Sequence, residues 1–265
     1  MQLKTQWFAL TSCLLGTAVA TAGGMGSLDQ GFRPLASVYG GLALVTVNAG
    51  SAHTFVGSDD NLFNYQGQSN SDATVLAGAF LGAEHQLPHP GLFVQTGLEY
   101  SYFGNGSTKG ANSVGIEPDT STYYHYSWRV QTQQVLAVAK LFTTSKLPIL
   151  SQNDLYPYLS LGLGAAFNKA KQFSASPEGS GSFNVTPAFN SNSTSAFSYS
   201  LGLGVDTNID PHLRVGLGYR FSSFGKAALG DGQVVFNQYK FPVPFSLDAH
   251  HAYANQIIAQ LSYLA

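Results

Sequence analysis

The chain has 265 residues, of which only 10% are charged, and its formal net charge is -2. So few charges are unusual for a soluble surface and suit a surface that faces lipid. The scattered lysines and arginines form no basic stripe, which argues against nucleic acid as a partner. The length fits a single domain, and no linker-like segment divides the chain.

The first 22 residues have the composition of an export signal. Lys4 supplies the positive charge, a mostly apolar stretch follows it, and small residues ending at Ala22 form a cleavage site. We therefore predict a signal peptide over residues 1–22 and a mature domain over 23–265. Cleavage after Ala22 would remove Cys13, the chain's only cysteine, and with it any disulfide chemistry. Lipidation of Cys13 is the alternative that this segment leaves open.

Eight later segments alternate apolar side chains with small or polar ones, which is the period-two pattern of membrane-spanning strands. No segment among them is apolar for long enough to form a membrane helix. In chain order the predicted strands are about Ser37–Val47, Thr74–Glu84, Leu92–Phe103, Trp128–Leu141, Tyr156–Asn168, Phe197–Asp206, Leu213–Ser222 and His251–Leu264. The more apolar side of each strand is expected to face lipid, and the facing of the first and fourth strands stays open.

The connections between these strands alternate in length. Long connections cover about 49–73, 104–126, 169–194 and 223–248, and shorter ones cover 85–91, 142–154 and 207–212. Such alternation is typical of extracellular loops and periplasmic turns. The predicted fold is all-β: an eight-stranded antiparallel transmembrane β-barrel with four long extracellular loops and short periplasmic turns. A soluble lipocalin-like barrel would instead turn its apolar side inward.

The strand YPYLSLGLG at 156–164 and the closing strand NQIIAQLSY at 255–263 allow a family resemblance to be stated. Together with the strand spacing, they resemble the small opacity-type outer-membrane surface proteins and the transmembrane domain of the outer-membrane protein A superfamily. The resemblance covers nearly the whole mature chain and implies a scaffold in the cell outer membrane, surrounded by lipid and lipopolysaccharide. It also implies insertion by the barrel-assembly machinery. That machinery usually reads an aromatic last residue, whereas Tyr263 is followed here by two more residues.

Six charged side chains are predicted to point into the barrel. They are Glu84, Glu99, Lys140, Asp206, Arg214 and Arg220. An unpaired charge is costly in a narrow interior, so we expect the acids and bases to pair. Glu99 is expected to pair with Arg220, and the other four to form a network nearer the periplasm. Structural filling is one interpretation of this set, and a switchable ion-pair gate in a narrow channel is the other.

The fourth long connection contains an unusually apolar segment. Its large side chains are Phe236, Tyr239, Phe241 and Phe245. They either fold back over the barrel mouth, onto loop aromatics such as Phe63, Tyr65, Phe183 and Phe189, or form a contact site for a host or surface partner. Pro242 and Pro244 are expected to hold the segment extended and to keep it out of any strand ladder.

The predicted function is that of a surface protein whose barrel anchors loops for interaction; adhesion or a role as a surface antigen is implied by the resemblance alone. The alternatives are the narrow channel and a lipid A-modifying enzyme. His125 and Ser127 lie two residues apart, so they share a strand face and are the enzyme's only candidate pair. No cofactor is predicted, and the histidine spacing predicts no metal site. The sequence identifies neither the ligand of the loops nor the oligomeric state.

Overall fold

A computed structural model describes residues 32–57, 62–115, 121–144, 155–178, 185–236 and 239–265. The strands are β1 (Phe32–Ala49), β2 (His53–Val56), β3 (Leu62–Gln68), β4 (Asn70–Gln86), β5 (Leu92–Val114), β6 (Thr122–Thr143), β7 (Leu155–Glu178), β8 (Val185–Phe189), β9 (Asn192–Asn208), β10 (Leu213–Ala228), β11 (Gly232–Phe236), β12 (Tyr239–Val243) and β13 (Asp248–Leu264). None of the described residues forms a helix that could cross a membrane. The predicted signal peptide at 1–22 lies outside the described residues.

Eight of these strands close into an antiparallel barrel. Around the ring the order is β1, β4, β5, β6, β7, β9, β10 and β13, and β13 pairs again with β1. At this closing seam Leu35 lies opposite Leu264, and Leu42 lies opposite Ile257. Closure bonds the backbone groups of each strand to neighbours on both sides, which is the condition for crossing lipid with strands. The eight predicted strands are confirmed, and each is longer than the alternation indicated.

The outer wall of the barrel is apolar and the inner wall is mostly polar, as the alternation predicts. Leu159, Leu201 and Leu217 keep 65%, 52% and 62% of their surface exposed on the outside. The structure also gives the facing of the first and fourth predicted strands, β1 and β6. On β1, Leu42 faces outward with 65% exposure, and on β6 the inward side carries Lys140 with 5% exposure. Exposed aromatics toward the outer end of this band form a girdle of Tyr100, Tyr102, Phe167 and Phe197.

The interior is narrow enough that tyrosine rings lie over glycines of neighbouring strands. A Cβ added to Gly204 would lie 2.6 Å from the ring of Tyr158. A Cβ added to Gly218 would collide with the hydroxyl of Tyr158. Tyr39 covers Gly78 on the other side of the barrel in the same way. The paired glycines of the strands therefore leave room for inward tyrosines, which agrees with their predicted role as small interior residues.

The segments predicted as long loops are mostly strand. β5 and β6 remain paired out to Val114 and Thr122, and β3 adds to the outer part of β5. β8, β11 and β12 form a separate three-stranded sheet. These segments lack the apolar alternation of a lipid-facing strand, because both of their faces lie outside the apolar band. These outer segments become strands because they pair with a neighbouring strand, and the local sequence carries no pattern that reveals this pairing.

We expect Leu161→Arg to destabilise the barrel by about 2–4 kcal/mol, because it places a guanidinium on the outer face where the sequence predicts lipid. Leu161 lies on β7 with 47% of its surface exposed. Ser176→Arg is the matched control, since Ser176 is exposed on the same strand beyond the apolar band. The free energy of unfolding in phospholipid vesicles measures both variants. Equal effects would show that the apolar band is not in lipid.

Candidate functional site

The centre of the barrel contains an arginine held on several sides. The Arg220 guanidinium on β10 donates to the carboxylate of Glu99 on β5, and its Nε donates to Gln256 Oε1 at 2.8 Å. It also lies over the Tyr39 ring, 4.9 Å from the centroid. Arg220 and Glu99 keep 4% and 3% of their surface exposed. The structure thus brings together the pair expected from the sequence and surrounds it with amide, hydroxyl and aromatic groups.

A second ion pair lies at the periplasmic mouth. Arg214 Nη1 lies 2.8 Å from Glu84 Oε2, and Gln95 Nε2 donates to the same oxygen at 2.9 Å. Arg214 Nε donates to Asn208 Oδ1 at 2.9 Å. The guanidinium also contacts the rings of Phe93, Phe142 and Tyr156, with centroids 5.0 to 5.6 Å away. Together these aromatic rings and hydrogen bonds hold Arg214 in one position.

Lys140 and Asp206 are connected through an amide rather than by direct contact. Gln260 Nε2 donates to both Asp206 carboxylate oxygens at 2.7 Å, and Gln260 Oε1 accepts from Lys140 Nζ at 2.9 Å. The lysine ammonium also lies 5.2 Å from the centroid of the Phe80 ring. The four charges expected to form a network nearer the periplasm thus separate into the Glu84–Arg214 ion pair and a Lys140–Asp206 pair joined by Gln260. A bridging amide satisfies both charges because it can donate to one and accept from the other.

Space inside the barrel is small between these layers. A cavity of about 10 Å³ lies beside Arg220 and Lys140, whereas a cavity of about 240 Å³ opens at the periplasmic mouth around Arg214. Farther out, Gln134 donates to Ser198 at 2.7 Å, and Thr132 donates at 2.8 Å to Asn168, which lies opposite it on the neighbouring strand β7. Beyond them lie buried apolar side chains, including Phe103, Trp128, Val130 and Phe224. The interior is therefore filled along its length.

The outer mouth is covered by an ordered cap, which we define as β2, β3, β8, β11, β12 and the segment 244–247. The Phe245 ring stacks on His53 at 4.3 Å and packs edge-on against Phe55 and Tyr65. Tyr65 is fully buried and also contacts Phe189, and this burial raises the pKa of its phenol above the ordinary value. Phe245 thus covers Tyr65, one of the loop aromatics that the sequence singled out, and Tyr65 in turn contacts Phe189, a second of them. Phe183 lies outside the described residues.

The other residues of the apolar segment are placed differently. Phe241 is half-buried at the surface and lines a cavity of about 290 Å³ with Lys240 and Pro242. Phe236 lies opposite Tyr239 in the β11–β12 ladder, and their side chains lie outside the described part of the structure. The expectation that the prolines keep this segment out of a ladder was wrong for Pro242, which lies opposite Gln233. It is tolerated because β12 is an edge strand, where an N–H can be missing.

Two histidine sites on the extracellular side resemble parts of a hydrolase. His125 Nε2 lies 3.1 Å from Glu178 Oε2, and both side chains are more than 60% exposed. His250 was not selected from the sequence, yet its Nε2 lies 3.1 Å from Ser51 Oγ and its Nδ1 lies 3.6 Å from Asp248 Oδ2. The second separation is too long for a hydrogen bond. Within the described ranges, no three His, Cys, Asp or Glu side chains group as metal ligands.

The sequence profile of the outer membrane protein beta-barrel domain matches residues 15–245. The chain belongs to this outer membrane β-barrel family. It is therefore a β-barrel protein of the cell outer membrane. The apolar band of this outer membrane barrel faces lipid, and its cap lies on the extracellular side. Among curated proteins, none is significantly similar to it in sequence.

Solved structures similar to this outer membrane barrel are remote in sequence. Neisserial surface protein A is 13% identical over 86% of this chain and 96% of its own, with a TM-score of 0.33. Ail of Yersinia pestis is 13% identical over 88% and 99%, with a TM-score of 0.32. OprG of Pseudomonas aeruginosa is 9% identical over 89% and 98%, with a TM-score of 0.39. At these values the functions of those proteins are not transferable to this barrel.

Several residues that contact the interior charges were not predicted from the sequence. The inward side was identified for six of the eight strands, but Phe80 was not singled out although alternation places it between Gly78 and Gly82 on the inward side of its strand. Alternation in the last strand also turns Gln256 and Gln260 inward, but it gives them no role. Their role depends on which strand lies across the barrel, and that follows from strand order and stagger in the closed outer membrane barrel.

We expect Glu99→Ala to destabilise the outer membrane barrel by about 3–5 kcal/mol, because it leaves the Arg220 guanidinium buried without its carboxylate. Glu178→Ala is the matched control, since it removes an exposed carboxylate paired with His125 and should cost at most about 1 kcal/mol. The denaturant midpoint of the folded, unheated gel band reports both. Equal midpoints for the two variants would contradict a structural role for the interior pair.

Proposed function

We propose that this barrel is a surface interaction protein in which the membrane domain anchors an ordered extracellular cap. The observation that carries the proposal is that the apolar packing of the barrel interior continues into the outer end of the protein. Tyr65, Leu229 and Val234 are fully buried there, and Phe189 is 8% exposed. A cap with a packed core presents a surface of fixed shape, which reduces the entropy lost when a partner binds.

The proposed contact surface lies on the three-stranded sheet of the cap. Lys240 and Pro242 are exposed on its edge strand β12, and Phe241 lies between them beside a cavity of about 290 Å³. Asp231 and Gln233 also line that cavity. Aromatic residues are enriched at protein contact sites, and an open strand edge offers unpaired backbone groups to a partner. We propose that Phe241 contacts the partner and that Phe245 acts as a lid over the buried aromatic rings of the cap.

The packed interior favours this proposal over a narrow channel. An open ion path would have to pass Arg220, where the cavity is about 10 Å³, and then the apolar layer that contains Trp128 and Phe224. Opening such a path would break buried ion pairs and expose apolar side chains to water, and both changes are costly. The interior charges are accordingly proposed to hold the barrel closed.

We expect Lys240→Ser/Phe241→Ser to lower adhesion of cells that express the protein at least fivefold while leaving the cap resistant to proteinase K. Phe245→Ser should act differently, making the cap cleavable because the lid aromatic is lost. Ile209→Ser is the control, since it removes an apolar side chain with 61% exposure at the periplasmic end. Adhesion is measured on cultured epithelial cells and on immobilised fibronectin, laminin and collagen. Unchanged adhesion of the Lys240/Phe241 variant would refute the assigned surface.

We propose a non-enzymatic role, because neither histidine site lies in an enclosed pocket. Ser51 and His125 are exposed, and a serine hydrolase needs a site from which water is largely excluded. A fluorophosphonate probe should therefore label neither Ser51 nor Ser127 in the folded protein. Mass spectrometry of tryptic peptides makes the measurement. Labelling of Ser51 that is lost in His250→Ala would instead support a hydrolase with Asp248 as the acidic partner.

A further inference from the structure

Four cations lie close together on the outer surface of three neighbouring strands. Lys109 is on β5, Arg129 on β6, and Lys169 and Lys171 on β7, and all four point outward. Arg129 lies opposite Lys171, and Lys109 lies opposite Ser127, the second residue before Arg129. None of these four side chains makes an ion pair with a carboxylate of the described residues. We call this surface the basic wall.

A bulge shapes the surface of the basic wall. Gln172 adopts a φ of 58°, and the β6–β7 register shifts beside it between Ser127 and Arg129. Bulges of this kind bend a strand and redirect its side chains. The result is an open cavity of about 570 Å³ whose lining includes Lys109, Ser127, Arg129 and Ser174. Hydroxyls and cations around one cavity are the donors that phosphate and sugar oxygens require.

The acidic groups near the basic wall are already engaged. Asp72 Oδ2 accepts from the backbone N–H and the hydroxyl of Ser107 at 2.6 Å, and from the Asn70 amide at 3.2 Å. Glu178 lies farther out and pairs with His125. Asp72 thus adds one negative charge beside Ser107, but no carboxylate among the described residues lies within ion-pair distance of the four cations, so the wall keeps a net positive charge.

The height of the basic wall on the barrel indicates its ligand. Lys169 follows Phe167 of the aromatic girdle by two residues on the same face, a distance of about 7 Å along a strand. Lys171 Nζ donates to Gln131 Oε1 at 2.7 Å, and the Gln131 amide donates to the girdle residue Tyr102. The cations thus begin where the lipid-facing band ends. This is the level of the lipid headgroups.

We propose that the basic wall binds a phosphorylated glycolipid of the outer leaflet. The lipid phosphates contact Arg129, Lys169 and Lys171, and its sugars enter the serine-lined cavity beside Lys109. The acyl chains then lie along the apolar band below, where Leu98, Val135 and Leu163 are exposed. A soluble polyanion would use the cations but not this continuous apolar surface. The proposal rests on the membrane location and not on the proposed adhesive role of the cap.

The test compares two double variants of the full mature protein folded in neutral detergent. Arg129→Gln/Lys171→Gln removes two cations from the basic wall, and Arg33→Gln/Lys226→Gln removes two cations that belong neither to the wall nor to the proposed contact surface. The probe is fluorescently labelled rough-type lipopolysaccharide, titrated at fixed ionic strength. We expect roughly 30-fold weaker binding for the wall variant, from two cations near a charged lipid surface, and less than a threefold change for the control.

Further arms identify the source of the anionic group. Chemically dephosphorylated lipopolysaccharide should bind the wild type as weakly as intact lipopolysaccharide binds the wall variant, and inorganic phosphate should not compete at millimolar concentration. Equal weakening in the control variant, or tight wall-dependent binding of heparin without lipid, would overturn the proposal. If the double variant fails to show a heat-modifiable band, Lys109→Gln and Lys169→Gln take its place, with about fivefold weaker binding expected for each. Adhesion of the wall variant should stay unchanged, which separates this result from a failure of the proposed function.

Discussion

The antiparallel seam between β1 and β13 is the contact on which the rest of the structure depends. It turns a sheet with two open edges into a ring, and only a ring leaves no strand backbone unbonded in lipid. Closing eight strands also fixes a narrow interior. Every inward side chain must then fit that space, which is why Tyr39 and Tyr158 each lie over glycines of neighbouring strands.

The charged groups of the barrel interior lie toward the periplasm, and most of its buried aromatic side chains lie toward the outside. Toward the periplasm, Arg214, Lys140 and Arg220 are each held by a carboxylate or an amide and by an aromatic ring. Toward the outside, a layer of hydrogen-bonded polar side chains is followed by apolar filling, which continues into the core of the cap. A barrel filled in this way leaves little space in its interior for a ligand. The surfaces that we propose for binding lie on the outside of the protein, at the cap and at the basic wall.

Part of the candidate site was predictable from single strands, and part was not. Alternation was enough to point Glu99 and Arg220 inward, because side-chain direction repeats every two residues. It could not show that Gln260 bridges Lys140 and Asp206, since those residues come from three different strands. The sequence predicted that Pro242 keeps its segment out of a strand ladder, and this would hold in a central strand. Its position at a sheet edge depends on β8 and β11, which are distant in sequence from one another.

The sequence by itself determined the class of fold, the number of barrel strands and the facing of most of them, because each of these depends on a short-range pattern of apolar and polar residues. The tertiary structure alone decided the extension of β5, β6 and β7 beyond the band, the formation of the cap and the grouping of the basic wall. Arg129 and Lys171 are separated by many residues and meet only through the β6–β7 register. Register is set by pairing between strands, so no single strand specifies it.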